Sequence, residues 1–223
     1  MKPLLFSLLL ICPISFSYAQ VKGPVTGQMQ PDPYTSSLLE KSIDPDSLYF
    51  PVKLFENKKT VAALKDFRNK WYSSQLKAMN EPILKSLTSP AEVYRFTWLR
   101  SFHNPVAVRM ERKGEDLKVF WKLCSGAGGY DPGRMIIDRE KKIDRKQWDQ
   151  FMDLLSAMDF RGMKSVDENQ TGLDGAQWIL EGIQDGNYHV VDRWSPGRKS
   201  RFARCCEFLL SLTDLEIAEQ DKY

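Results

Sequence analysis

The dipeptide Asp185-Gly186, set between two stretches of alternating residues, constrains the fold of this chain more than any other feature. Asp-Gly suits a two-residue turn with positive φ at both positions, the geometry that matches the twist of a β-hairpin. Centred on that turn, residues 177–184 and 187–194 pair as antiparallel strands. Ile183 then stands opposite Tyr188, Glu181 opposite Val190 and Ile179 opposite Asp192 on one face. Gly182 opposite His189, Leu180 opposite Val191 and Trp178 opposite Arg193 fall on the other. Both faces are part apolar, whereas an antiparallel sheet with one wet face alternates cleanly. The second face therefore needs a cover. The chain itself is the expected one, through a helix from about Asn57 and the segment before it, because monomers rarely leave a large apolar patch open.

The same period of two recurs upstream. Tyr94, Phe96 and Trp98 alternate with Arg95, Thr97 and Leu99; Val106, Val108 and Met110 with Ala107, Arg109 and Glu111; Leu117, Val119, Trp121 and Leu123 with Lys118, Phe120, Lys122 and Cys124. These are three strands, the second and third forming a hairpin through Gly114, and a short fourth is expected over residues 135–139. Three helices frame them. One spans 57–79 on Val61, Leu64, Phe67, Trp71 and Leu76; a second follows the cap Asp144 with Trp148, Phe151, Met152, Leu155 and Met158; a third covers about 200–212 and buries Phe202, Cys205, Cys206, Leu209 and Leu212. The fold class is α+β: an antiparallel sheet of five or six strands, helices after successive strand groups and one N-terminal helix. The domain spans 57–223, preceded by an irregular segment, 20–56, broken by Pro24, Gly27, Pro31, Pro33, Pro45 and Pro51.

Residues 1–19 read as a secretory signal peptide: a positive start at Lys2, an apolar run from Leu4 to Ile11, and Ser17-Tyr18-Ala19 as a small-x-small cleavage site before Gln20. The run is interrupted by Ser7, Pro13, Ser15 and Ser17 and falls short of the roughly 20 apolar residues of a membrane span. The expectation is an exported chain, periplasmic or extracellular, with no transmembrane anchor after cleavage. Lys and Arg are mixed with Asp and Glu throughout, and the net charge of +3 loses one unit with Lys2, so nothing points to nucleic acid. Export permits disulfides, yet cleavage leaves Cys124, Cys205 and Cys206, an odd number. Adjacent cysteines on a helix diverge, so Cys205 and Cys206 are read as small buried residues. A pairing of Cys124 with either stays open.

Four places in the chain carry side chains that a site could use. The loop 125–134, rich in glycine, lacks the following helix and the Gly-Lys-Ser/Thr of a phosphate cradle. It is a mobile connection or a ligand-contacting loop through Tyr130, Asp131 and Arg134. Asp167, Asn169, Thr171, Gly172 and Asp174 match half a calcium loop, but Trp178 replaces the closing carboxylate, which leaves a polar turn. Asn169-Gln170-Thr171 is also a glycosylation sequon. Cys124 or Ser125 with His103 or His189 is the material for an exported hydrolase, though Asp192 lies on the opposite strand face from His189 and cannot orient its ring directly. His189 and Arg193 beside Trp178 make a recognition surface for a polar or anionic partner, or a packed pair with Arg193 over Trp178.

Trp98-Leu99-Arg100-Ser101-Phe102, Gly172 through Trp178 and Tyr188 through Pro196 resemble segments of exported bacterial proteins without an assigned activity, over residues 92–215. The resemblance implies a bacterial envelope or secreted setting and no reaction. The functional expectation is a non-enzymatic interaction or ligand-binding module of the cell envelope, with a protein or small-molecule partner and no cofactor. Its binding residues are Tyr130, Asp131, Arg134, Trp178, His189 and Arg193. The alternative is the exported hydrolase with a Cys/Ser–His site.

Overall fold

Every residue of the strand Glu92–Arg100 is buried, so this strand is covered on both faces and lies at the centre of the molecule. The structure is a computed structural model that describes residues 44–56, 66–88, 91–167, 172 and 174–223. The signal peptide, residues 20–43 of the irregular segment, residues 57–65 of the helix expected over 57–79, and the sequon with Asn169 and Thr171 of the half calcium loop lie outside these residues; Asp66 takes a left-handed φ of 54°, which breaks that expected helix, so it starts only at Phe67. The strands are β1 (Glu92–Arg100), β2 (Val106–Lys113), β3 (Asp116–Cys124), β4 (Met135–Lys142), β5 (Ala176–Gln184) and β6 (Asn187–Trp194). The helices are α1 (Phe67–Ala78), α2 (Arg145–Ala157) and α3 (Arg201–Ser211). All six strands form one antiparallel sheet in the order β4-β3-β2-β1-β5-β6, which is the α+β class expected.

The β5–β6 hairpin has the expected register at every pair. Its turn residues Asp185 and Gly186 take φ of 51° and 75°, and Gly114 in the β2–β3 turn takes 59°. The fourth strand is longer than expected and runs on to Lys142, because Lys118, Phe120 and Lys122 on β3 offer a ladder to Lys142, Glu140 and Asp138. On the first face, Tyr94, Phe96 and Trp98 of β1 pack under Trp148, Phe151 and Leu155 of α2 and Phe202 and Leu209 of α3. Helix α2 opens with a reciprocal cap: Asp144 accepts from the Gln147 amide at 2.7 Å, and the Gln147 side chain accepts from the Asp144 amide at 3.0 Å. Ser200 caps α3 from one side only, its Oγ accepting from the Ala203 amide at 3.1 Å. Cys205 and Cys206 are buried on this face and Cys124 on the other, so the sheet itself keeps them apart and all three are free thiols.

The second face is covered by the chain's own earlier segments, as expected. Tyr49, Phe50 and Phe55 join Tyr72, Leu76 and Met79 over Leu99, Ala107, Ile179 and Val190. Phe50, Phe55 and Tyr72 meet edge to face with centroids 5.1–5.9 Å apart. The apolar stripe expected on α1 does not define its inward face. Phe67 and Trp71 are only half-buried, while Asn69, Tyr72, Ser73, Gln75 and Leu76 point inward. The reason is the polarity of what α1 covers: Asn69 donates to the carbonyls of Phe50 and Pro51 at 3.0 and 3.1 Å, and Ser73 accepts from the Tyr49 amide at 2.9 Å.

The end of α1 places the main charge on this face. Asn80 adopts φ of 49°, and the Glu81 amide reaches back to the Leu76 carbonyl at 3.1 Å, a left-handed helix stop that turns Glu81 toward the sheet. Three neighbouring strands each bring it one cation: Arg95 at 3.2 Å from β1, Arg109 at 3.0 Å from β2 and Lys122 at 3.3 Å from β3. Arg95 and Arg109 sit directly across the β1–β2 ladder, where like charges repel, so the Glu81 carboxylate between them relieves a clash built into the register. On its other side Arg95 ion-pairs Glu181 of β5, whose second oxygen accepts from the Tyr188 hydroxyl at 3.1 Å. Burial works against the Glu81 charge, yet Arg95, Arg109 and Lys122 hold its carboxyl below the ordinary glutamate range. Removing one partner of a buried pair strands the other charge. Glu81→Gln is therefore expected to destabilise the fold by about 3–5 kcal/mol in urea unfolding, whereas Lys113→Ala, which removes an exposed partner of Glu111, should cost under about 1 kcal/mol.

Candidate functional site

The β1–β2 turn, residues 101–105, and the β3–β4 loop, residues 125–134, meet at one end of the sheet because both follow the ends of strands that run the same way. Glycine lets them touch. A Cβ on Gly128 would lie 2.6 Å from the Leu99 Cα and the Arg100 nitrogen, and one on Gly129 would lie 2.8 Å from the Ser101 carbonyl. Their amides instead donate to the carbonyls of His103 at 2.8 Å and Arg100 at 3.2 Å. The loop also closes on itself, with Ser125 donating to Arg134, Gly126 to Pro132 and Ala127 to Asp131 at 2.9–3.1 Å. Helix α1 holds it from the side: the Trp71 indole donates to Gly128 at 2.9 Å and the Gln75 amide to Tyr130 at 2.6 Å. The expectation of a mobile connection is thus corrected. The loop is bonded to β1, to itself and to α1, since its glycines permit a backbone approach that other residues would block.

On this pinned frame stands an exposed aromatic pair. Phe102 is 60% and Tyr130 48% exposed, with ring centroids 6.3 Å apart. Asp131 and Arg134 are exposed on the same loop; Asp131 accepts from the Gly133 amide at 2.7 Å, and the Arg134 amide donates to Ser125 Oγ at 3.2 Å. The chain then enters β4 with Met135 and Ile136 still open to solvent, Ile136 at 51%. Tyr130, Asp131 and Arg134 are thus all exposed on one loop. Phe102, Met135 and Ile136 join them without having been singled out. Their signal was weak, because single apolar residues at strand ends read as core in an alternating pattern.

Trp178, His189 and Arg193 are placed differently. Trp178 is 1% exposed in the first-face core, beside Phe96 and Trp98 at 5.2 and 5.3 Å, and its indole donates to the Tyr223 carbonyl at 3.0 Å. Arg193 pairs with Trp178 in register, but its guanidinium lies over Phe202 at 6.0 Å and donates to the carbonyls of Lys164 and Asp192 at 2.8 and 2.7 Å. His189 has Nε2 3.1 Å from the Met163 carbonyl and its ring edge-on to Phe160, and burial depresses its pKa. These two side chains hold the chain's own connection between α2 and β5.

The nucleophile–histidine sets do not assemble. Cys124 is on the second face and its thiol is pushed up by burial, while His189 shares the first face with its partner Gly182, which lies against Tyr94. His103 has Nδ1 2.8 Å from the Tyr223 hydroxyl and Nε2 3.6 Å from an Asp221 oxygen. Among the described residues neither imidazole hydrogen-bonds a serine or cysteine, no group of three or more His, Cys, Asp or Glu could hold a metal ion, and no helix is long and apolar enough to cross a membrane. No protein-family model matches the chain, and the comparison with curated proteins gives no relative.

One buried acid was not anticipated as a titrating group. Asp192 is buried on the second face, with one oxygen accepting from the Tyr72 hydroxyl at 3.1 Å and lying 3.5 Å from Arg68, while the other oxygen has no hydrogen-bond partner. Burial pushes its pKa up to about 6, against the pull of Arg68 and of the Tyr72 hydrogen bond. The folded carboxyl keeps its proton at a pH where the unfolded one has lost it, so Asp192 favours folding in acid and loses that contribution as pH rises from about 4 to about 6. Relative to wild type, Asp192→Asn should gain about 3 kcal/mol in stability on going from below pH 4 to above pH 6, read from paired urea curves at each pH. Gly128→Ala should destabilise by about 1–3 kcal/mol through the contacts its Cβ makes with the β1 backbone, measured the same way.

Proposed function

We propose that this chain is a non-enzymatic binding module of the bacterial cell envelope, exported through its N-terminal leader, and that it engages a protein partner through the loop end of the sheet. The observation that carries the reading is the exposed pair formed by Phe102 of the β1–β2 turn and Tyr130 of the β3–β4 loop, the latter bonded to β1 and α1. Aromatic, methionine and arginine side chains are enriched at the centres of protein interfaces, and the exposed Phe102, Tyr130, Met135 and Arg134 supply that chemistry. A frame already ordered in the free protein spares the entropy of ordering a loop on binding. Support also comes from the state of the reactive groups: the thiols are buried and both imidazoles are engaged by neighbours.

This reading keeps Tyr130, Asp131 and Arg134 of the six expected binding residues and drops Trp178, His189 and Arg193. A photocrosslinking residue placed at position 130 in the native host should capture a discrete partner, and the same residue at exposed position 146 on α2 should not. The double variant Phe102→Ala/Tyr130→Ala should weaken that complex at least tenfold while leaving the melting temperature within a few degrees. Equal crosslinking at both positions, or unchanged binding of the double variant, would overturn the assignment. Recovery of an unprocessed chain from the cytosol would overturn the envelope setting.

A further inference from the structure

The segment after α3, residues 213–223, crosses the first face of the sheet where the helices leave it uncovered. Three tryptophan indoles, from three strands, find their acceptors on it. Trp121 donates to Asp214 at 2.8 Å, and Trp98 and Trp178 both donate to the Tyr223 carbonyl, at 3.3 and 3.0 Å. Arg100, stacked over Trp98 at 4.3 Å, donates to the Asp221 carbonyl at 3.3 Å, and its Nε is buried without a partner. His103 meets the Tyr223 hydroxyl, and Arg139 and Arg198 pair with Asp214 and Glu219.

Two features set this strap apart from the rest of the core. Its backbone takes no part in the sheet: among the described residues, the backbone–backbone bonds it donates are local, Thr213 to Leu210, Asp221 to Ala218 and Lys222 to Glu219. It can leave without breaking a ladder, and segments held by few buried contacts open first. Its charge also complements its bed. Asp214, Glu216, Glu219 and Asp221 face one cation of their own, Lys222, and lie among Arg100, His103, Arg139 and Arg198. Departure would open three indoles and Arg100 to water, an exposure of apolar surface that a peptide with oxygen acceptors at the same places removes.

The geometry points to a peptide-binding groove on Trp98, Trp121, Trp178 and Arg100, filled in cis by the chain's own strap and able to accept an acidic, extended peptide with apolar residues at alternate positions. The strap shows the pattern required: Asp214, Leu215, Glu216, Ile217, with Leu215, Ile217 and Tyr223 packed on the core. Trp98, Trp178 and Arg100 read main-chain oxygens and Trp121 reads a side-chain carboxylate, so the groove requires an acidic residue at the place of Asp214 and sets spacing elsewhere. This groove is separate from the Phe102–Tyr130 surface, and its variants touch neither ring.

The test uses the full chain and a fluorescent peptide of residues 213–223. In native-state hydrogen exchange, amides of the strap should exchange at least a hundredfold faster than those of β1. The double variant Asp214→Ala/Tyr223→Ala, which weakens the strap in cis, should bind the peptide at least tenfold tighter than wild type does, and a peptide with its four acidic residues changed to lysine should bind neither. Strap amides as protected as β1, absence of peptide binding, equal affinity in the two proteins, or loss of the fold in the double variant would each show the strap to be fixed core and overturn the proposal. The exchange measurement on wild type decides even if the variant does not fold.

Discussion

The second face of the sheet depends on one carboxylate. Arg95 and Arg109 lie side by side across the central ladder, each with a further carboxylate of its own, Glu181 and Glu111, and Glu81 is the anion that bridges the two. Because Glu81 follows the left-handed Asn80, the stop of α1 and the neutralisation of the sheet are one event in the chain. The helix is thereby tied to β1, β2 and β3 at once, and Glu181 ties the same arginine to β5. Such a network adds less net energy than an apolar core of the same size, since desolvation offsets much of the attraction. What it supplies is a single allowed placement of α1.

That placement positions the loop end. Trp71 and Gln75, on the same helix, donate to the backbone of the glycine-rich loop, so the aromatic pair at Phe102 and Tyr130 inherits its rigidity from α1. The covered core and the exposed pair are two ends of one chain of contacts: charge seats the helix, the helix seats the loop, and the loop presents the rings. Asp192 and Tyr72 add a second tie between α1 and β6 that responds to pH.

Much of the fold was legible because its signals are local. The Asp185-Gly186 turn and the Asp144 cap depend on residues a few positions apart, and both formed as read; the reply of Gln147 to Asp144 and the Ser200 cap are equally local but were not singled out. The need for a cover over the second face was legible too, from the mixed polarity of residues 177–194. The inward face of α1 was not, because its partners are backbone carbonyls of residues 50 and 51 and of the loop, which leave no apolar period in the helix. Of the site, Tyr130, Asp131 and Arg134 were legible from the loop's composition, while Phe102 and Ile136 were hidden among strand residues of the same type.

Turns, caps and alternation act through neighbours along the chain, so the strands, the register of the β5–β6 hairpin, two helix starts and the mixed polarity of both faces of that hairpin were open to reading from local pattern. The strand order, the convergence of three cations on Glu81, the burial of Trp178 beneath residues 213–223, and the exposure of Phe102 beside Tyr130 emerge with the folded chain. Those depend on which distant segments meet. Contact between residues far apart in sequence is set by the sum of packing and charge over the whole molecule and leaves no short pattern to read.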